Sequence, residues 1–257
     1  MPKENTATQT VQRIVRILRC FTTGSPEIGV MAISRQAGLH KSTTSRLLAS
    51  LEVEGLVDKN PDTGKYRLGL EIVNLAGMVL EQIGLRQAAQ IHLRELADQT
   101  QETINIAVLH GDECINVESI KSPQPIQYAG QLGRRNPLHC TSTGKIFLAF
   151  MTTEQCKAQL TIPLKAFTSQ TITNLGTLEE NLKQARLLGY AAAYDEFDEG
   201  LSAIAAPIRD FSGQVIAAVS ISGPSFRMGA EQINLYATHL MAAAQKISSQ
   251  LGYYIHS

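Results

Sequence analysis

The run Lys41-Ser42-Thr43-Thr44-Ser45-Arg46 sets four hydroxyls between two cations. Its chemistry depends on how a helix sorts them. At about 100° per residue, Thr44, Leu47, Leu48 and Leu51 share one side, while Ser42, Arg46 and Ala49 share the other, flanked by Thr43 and Ser50. The outward side is small, hydroxyl-rich and carries one guanidinium, so it can enter a DNA major groove without steric conflict. Hydroxyls near a helix N-terminus suit phosphates, and Arg46 can reach a guanine edge or a phosphate. Just upstream, Gly38 and Leu39 supply a turn and an apolar plug after a short helix of small residues, as a helix-turn-helix requires. The candidate DNA contacts are Arg35, Lys41, Ser42, Thr43, Ser45 and Arg46, joined by Lys59, Lys65 and Arg67 from a following hairpin. The blander alternative is a three-helix cluster with a solvated polar face.

A second cluster points to a small molecule. In Thr141-Ser142-Thr143-Gly144-Lys145, Thr141 is a natural N-cap, and the unpaired N–H groups after it can hold a carboxylate. Ser220 and Ser222, two apart, present both hydroxyls on one face of a strand. Read without that ligand, Ser142 and Thr143 merely begin a helix, and the two strand serines face water. Ser142 and Lys145 also read S-x-x-K, a serine-nucleophile pattern, but the companion S-D-N and K-T-G motifs are absent. Gly144-Lys145 is not a phosphate-binding loop, because His139 stands where its leading glycine belongs. His139 and Cys140 are adjacent but lack partners at zinc spacing, so a buried histidine with a backbone hydrogen bond is expected. No catalytic residue, metal or cofactor is expected.

The elements that position these residues follow from periodicity. Residues 1–9 read as a polar, disordered arm. Val11, Ile14, Val15, Leu18 and Phe21 have helical spacing, stopped by Thr22–Pro26. Helices follow at Val30–Ala37 and Lys41–Glu54, each closed by a glycine, then short strands Leu56–Lys59 and Lys65–Leu68 around an Asn60–Gly64 turn. That is a winged helix-turn-helix spanning 10–69. A helical pattern from Leu70 to Ile83 is too apolar for a free linker and should pack on something, such as a second subunit; Gly84 then permits a bend before another helix at about Leu85–Gln99, and the linker is placed at 70–89. The domain at 90–257 should be α+β on a mainly antiparallel sheet. Its strands are read at 103–108, 115–120, 201–209 and 215–222, and its helices at 141–150, 178–188 and 231–251.

Charge supports that division. The formal net charge is zero over 257 residues. However, residues 1–69 carry 10 Lys/Arg against 6 Asp/Glu, leaving 13 against 17 for the rest, so a polyanion partner is implied for the first part alone. A hydrophobic fraction of 44% excludes wholesale disorder. Four scattered cysteines exclude a disulfide scaffold or zinc ribbon. No apolar run reaches the roughly 18 residues of a membrane span, and the polar N-terminus is unlike a secretory signal. A cytoplasmic location is expected.

The segments ISRQAGLHKSTTSRLLASLEVEGLV (Ile33–Val57), GKYRLG (Gly64–Gly69), LGRRNPLHCTSTGKIFLAF (Leu132–Phe150) and DEFDEGLSAIAAPIRDFSGQVIAAVSISGP (Asp195–Pro224) together resemble the IclR family of bacterial transcription regulators. The GRRNPL variant is similar to a branch that regulates sugar-acid catabolism. The resemblance implies a winged helix-turn-helix, a dimerising linker helix and a C-terminal domain that binds a small carboxylate effector. It implies no catalysis, and a dimer or tetramer acting on palindromic operator DNA, most simply as a repressor. It sets Ser220 and Ser222 across from Ser142 and Thr143, with the acidic pair Asp195 and Glu196 and Ala203 nearby. Ala203 stands where relatives often have Cys, Ala193 where some have an acid, and Thr44 where Val is commoner. The alternatives are a serine hydrolase using Ser142 and Lys145, or a metabolite-binding module without DNA readout.

Overall fold

A computed structural model describes residues 6–22, 24–75, 84–128 and 130–253. The chain forms two compact units, residues 1–82 and 83–257.

The first unit contains α1 (Thr6–Leu18), α2 (Val30–Ala37), α3 (Lys41–Val53) and the antiparallel pair β1 (Val57–Lys59) and β2 (Tyr66–Leu68). Ile17, Ile33, Leu48, Leu51 and Val57 make its core. Between α2 and α3, Gly38 takes the left-handed conformation (φ 65°) and its N–H returns to the Arg35 carbonyl, while half-buried Leu39 packs on the core. Thr44 is fully buried, and its hydroxyl donates to the His40 carbonyl at 3.1 Å, so the polar atom is satisfied within the helix. Ile28 exchanges backbone bonds with Tyr66, tying the segment before α2 to the hairpin.

Two expectations need correction here. Residues 6–9 are helical rather than an arm: Thr6–Gln9 contains neither glycine nor proline, and extending a formed helix costs far less than nucleating one. The helix expected after a bend at Gly84 (φ 61°) is present at Leu85–Thr100, but its first turn, residues 85–89, belongs to the second unit and not to the linker, because Leu85, Ala88 and Ala89 are buried in that unit's core. The expected 70–83 helix is seen at 71–75, and the rest of it lies outside the described residues.

The second unit contains α4 (Leu85–Thr100), β3 (Thr103–His110), β4 (Glu113–Ile120), β5 (Arg135–Pro137), α5 (Ser142–Phe150), α6 (Thr153–Gln159), α7 (Leu175–Leu188), β6 (Ala191–Tyr194), β7 (Leu201–Arg209), β8 (Val215–Pro224) and α8 (Ala230–Gln250). Its six strands form one antiparallel sheet in the order β5-β4-β3-β8-β7-β6. Strand alternation gives the sheet two unlike faces. One carries Ile104, Ile106, Ile204, Ile208, Val219 and Ile221, covered by α4 and α8. The other carries Ala107, Ala191, Ala205 and Ala218 under Ile146, Phe147 and Leu148 of α5 and Leu178 and Leu182 of α7. Short β5, short β6 and α6 escape periodicity. Helix α6 is nonetheless marked by a capping box, Thr152 with Gln155. No helix among the described residues is long and apolar enough to cross a membrane.

Alanine-size residues on the second face let α5 approach closely, and α5 itself needs Gly144. A Cβ there would run into the Leu138 backbone, which cannot yield as a flexible side chain does. Gly144→Ala should therefore destabilise the second unit by about 1–3 kcal/mol, measured as a lowered urea midpoint; an unchanged midpoint would refute the close approach.

Candidate functional site

Helix α3 presents Lys41, Ser42, Ser45 and Arg46 exposed, with Thr43 half-buried, and Thr44, Leu47, Leu48 and Leu51 turned inward. Its N-cap residue His40 makes no side-chain cap bond, so the first-turn N–H groups stay open to an anion such as a phosphate. Arg35 is exposed on α2. Among the described residues, Arg35, Lys41 and Arg46 form no ion pair, so their charge is undiminished. On the hairpin, exposed Lys59 lies 5.7 Å from the Tyr66 ring centroid, Lys65 is exposed, and Arg67 sits 3.7 Å from Asp58. All nine candidate contacts thus reach the surface of one compact unit.

The second site is a cavity of about 50 Å³, room for a few waters by volume. It lies between the small-residue face of the sheet and the start of α5. Register explains the floor. Ser220 of β8 pairs with Asn105 of β3 and Ala205 of β7, and Ser222 pairs with Thr103 and Ala203, which in turn pairs with Ala193. Ser220 and Ser222 are buried, so the water-facing alternative does not hold. Ser142 and Thr143 line the opposite wall. Thr141 caps α5 by accepting from Gly144 N at 3.2 Å, and Lys145 N reaches the Thr141 carbonyl at 2.9 Å. Among the described residues the N–H groups of Ser142 and Thr143 have no partner, and the residues that carry them line the cavity.

Beneath that helix end, Lys145 is fully buried. Its Nζ donates to Glu196 Oε1 at 2.5 Å and to the Ala192 carbonyl at 3.1 Å. Burial pushes the lysine's pKa down, opposed by the adjacent Glu196 carboxylate. Glu196 lines the cavity, and its other oxygen, Oε2, is buried without a hydrogen-bond partner among the described residues. Engaged this way, Lys145 makes no hydrogen bond to Ser142, which removes the geometry an S-x-x-K nucleophile needs. At the rim, Arg134 lies between the Tyr128 and Phe197 rings, 5.2 and 5.1 Å from their centroids, and pairs with Asp198 at 2.6 Å.

Asp195 departs from expectation. It does not line the cavity. Its Oδ1 accepts from Gly200 N at 2.6 Å and Ser225 Oγ at 2.7 Å, closing the 195–200 loop, and its own φ of 53° belongs to that tight turn. His139 is buried, with Nε2 2.9 Å from the Lys165 carbonyl. Cys140 is buried and lines the cavity, and burial pushes its thiol pKa up to about 12. Sequence reasoning missed Asn105, Asn116, Asn136, Tyr128 and Phe197, all of which line the cavity. Asn136 lay within the GRRNPL motif and Phe197 within the motif that opens at Asp195, beside Glu196; Asn105, Asn116 and Tyr128 sit singly among unrelated residues.

Comparison with known proteins agrees with this architecture. The model of the IclR helix-turn-helix domain matches residues 10–61, and that of the bacterial transcriptional regulator IclR C-terminal domain matches residues 77–249. The HTH-type transcriptional regulator KdgR of Escherichia coli (strain K12) is 36% identical over 89% of this chain and 87% of its own length. The HTH-type transcriptional repressor AllR of the same strain is 30% identical over 99% of this chain and 94% of its own. A solved IclR homolog from Microbacterium hydrocarbonoxydans, complexed with 4-hydroxybenzoate, superposes with a TM-score of 0.84 at 29% identity, covering 94% of this chain and 98% of that one. The chain belongs to the IclR family of bacterial transcriptional regulators. It is a DNA-binding regulator with an effector domain, and the family is one of regulators, not enzymes.

The Lys145–Glu196 pair makes the cavity's geometry testable. Lys145→Met leaves a buried carboxylate without its counter-charge and should cost about 3–5 kcal/mol, whereas adding Glu196→Leu should recover most of that loss. Urea denaturation of both variants checks this. A double variant as unstable as Lys145→Met would show that the pair is not the source.

Proposed function

We propose that the protein is a cytoplasmic, homo-oligomeric repressor whose effector is a small sugar acid or keto acid, bound in the cavity of the second unit. The observation that carries this reading is the pairing of open α5 N–H groups with buried hydroxyls across the cavity. Ser142 and Thr143 N–H groups hold the carboxylate, assisted by the helix dipole. Ser220 and Ser222 on the floor, with Glu196 Oε2 as acceptor, serve the hydroxyls, each of which needs a partner once removed from water. Ala203 gives the floor its room. Two similar proteins lend support: one is named a repressor, and one was solved with a carboxylate-bearing aromatic, 4-hydroxybenzoate.

On the DNA side, Ser42, Thr43, Ser45 and Arg46 enter a major groove, with Arg35, Lys41, Lys59, Lys65 and Arg67 on the flanking phosphates. Leu70, Val73 and Leu75, at 80%, 66% and 46% exposure, are exposed apolar side chains that suit pairing with a second copy on a palindromic operator. Regulation is linkage: an effector shifts DNA affinity only by its differential affinity for two arrangements of the oligomer.

Duplex DNA from the protein's own promoter should bind with a steep inverse dependence on salt. Arg46→Ala should weaken that binding about tenfold or more while leaving the fold unchanged; an unaltered gel-shift titration would refute the role. The double variant Ser220→Ala, Ser222→Ala should keep DNA affinity and lose the response to sugar acids. Normal effector affinity by calorimetry in that variant would place the effector elsewhere.

A further inference from the structure

The cavity has a wall that neither the helix end nor the serines explain. Asn105, Asn116 and Asn136 are 3%, 4% and 7% exposed and lie side by side at the β3-β4-β5 end of the floor. Burying a carboxamide costs free energy unless its donors and acceptors are matched, so three together need a reason.

Their arrangement is built by a β-bulge. Ile106 pairs with Glu118, but Ala107 pairs with Asn116, so Val117 is an extra residue in β4. In regular pairing Ala107 would oppose Val117, and Asn116 would face the α4 and α8 side. The bulge turns Asn116 onto the face that holds Asn105 and Ser119.

Two of the three amide oxygens, those of Asn105 and Asn116, are then occupied. Ser119 Oγ donates to Asn105 Oδ1 at 2.9 Å, and Asn136 Nδ2 donates to Asn116 Oδ1 at 3.0 Å. These bonds orient both carboxamides and leave Asn105 Nδ2 and Asn116 Nδ2 without a partner among the described residues. Across the floor, Ala193 and Ala203 pair directly and offer no polar side-chain atom. The cavity therefore has donors at two places, the α5 N-terminus and the asparagine wall, and a hydrocarbon edge at β6-β7.

We infer that Asn105 and Asn116 are specificity-determining residues that donate to an oxygen of the effector beyond its carboxylate, a 2-oxo or hydroxyl oxygen, with the effector's C–H edge against Ala193 and Ala203. This rests on the cavity reading proposed above. Asn136 acts through Asn116 as a positioning residue.

The test is calorimetry on the full-length protein with pyruvate and propionate, which differ only by the 2-oxo oxygen. The wild type should bind pyruvate about tenfold or more tighter than propionate, as expected when one acid leaves buried donors unpaired. Asn116→Leu, which removes one of the two donors, should lower that ratio severalfold, chiefly by weakening pyruvate binding. Asn116→Asp retains the acceptor for Asn136 and the side-chain shape, so it serves if the leucine variant does not fold, and the same fall in the ratio is expected. A ratio near one in the wild type, or a ratio preserved in the folded variants, overturns the inference and leaves the carboxylate site standing. Failure of the wild type to bind either acid overturns both.

Discussion

A lysine sealed from water can stay charged only beside an anion, and α5 is built around that constraint. Lys145 lies in a helix otherwise rich in Ile146, Phe147, Leu148 and Ala149, with every one of these side chains buried. Its ammonium is anchored at both the Ala192 carbonyl and Glu196, joining the helix to the last strand of the sheet and the loop beyond it. The desolvation cost of such a pair makes it a poor source of stability but a strict fixer of position, since neither partner tolerates losing the other. Fixing Lys145 fixes the open end of α5 one turn earlier, and that end forms the roof of the cavity.

The sheet supplies the other half. Large β-branched and aliphatic residues on one face are covered by two long helices, while alanine, serine and asparagine on the other leave space instead of filling it. Close packing makes such a gap expensive unless something polar lines it and something polar fills it. One face of the sheet is thus packed by large side chains throughout, while the other is packed under α5 and α7 and opens into the polar cavity beside them. The orphaned oxygen of Glu196 is the one buried side-chain polar atom among the described residues that lacks a partner, a state that costs free energy.

The two sites were unequally legible. The DNA face comes from one contiguous stretch, so the 3.6-residue period alone sorts Thr44, Leu47, Leu48 and Leu51 from Ser42 and Arg46. The i, i+2 spacing of Ser220 and Ser222, and Thr141 as cap to α5, could likewise be read from local rules. Asp195 could not: beside Glu196 in sequence, it turns away because a left-handed backbone and two hydrogen bonds commit it to the loop. Nor could Asn116, whose orientation depends on one extra residue in β4 that breaks the alternation on which strand reading relies.

What the chain alone determined, then, was most of what near neighbours set: the faces of the longer helices, the Thr141 cap, the turns at Gly38 and Asn60–Gly64, the basic character of the first unit and the family to which the motifs belong. The tertiary structure decided which distant residues meet. Lys145 and Glu196 lie 51 positions apart, and Asn105 reaches Ser220 only across a strand pairing. Periodicity and capping act over one or two turns of chain. Ion pairing, burial and strand register act across space, and only folding supplies those separations.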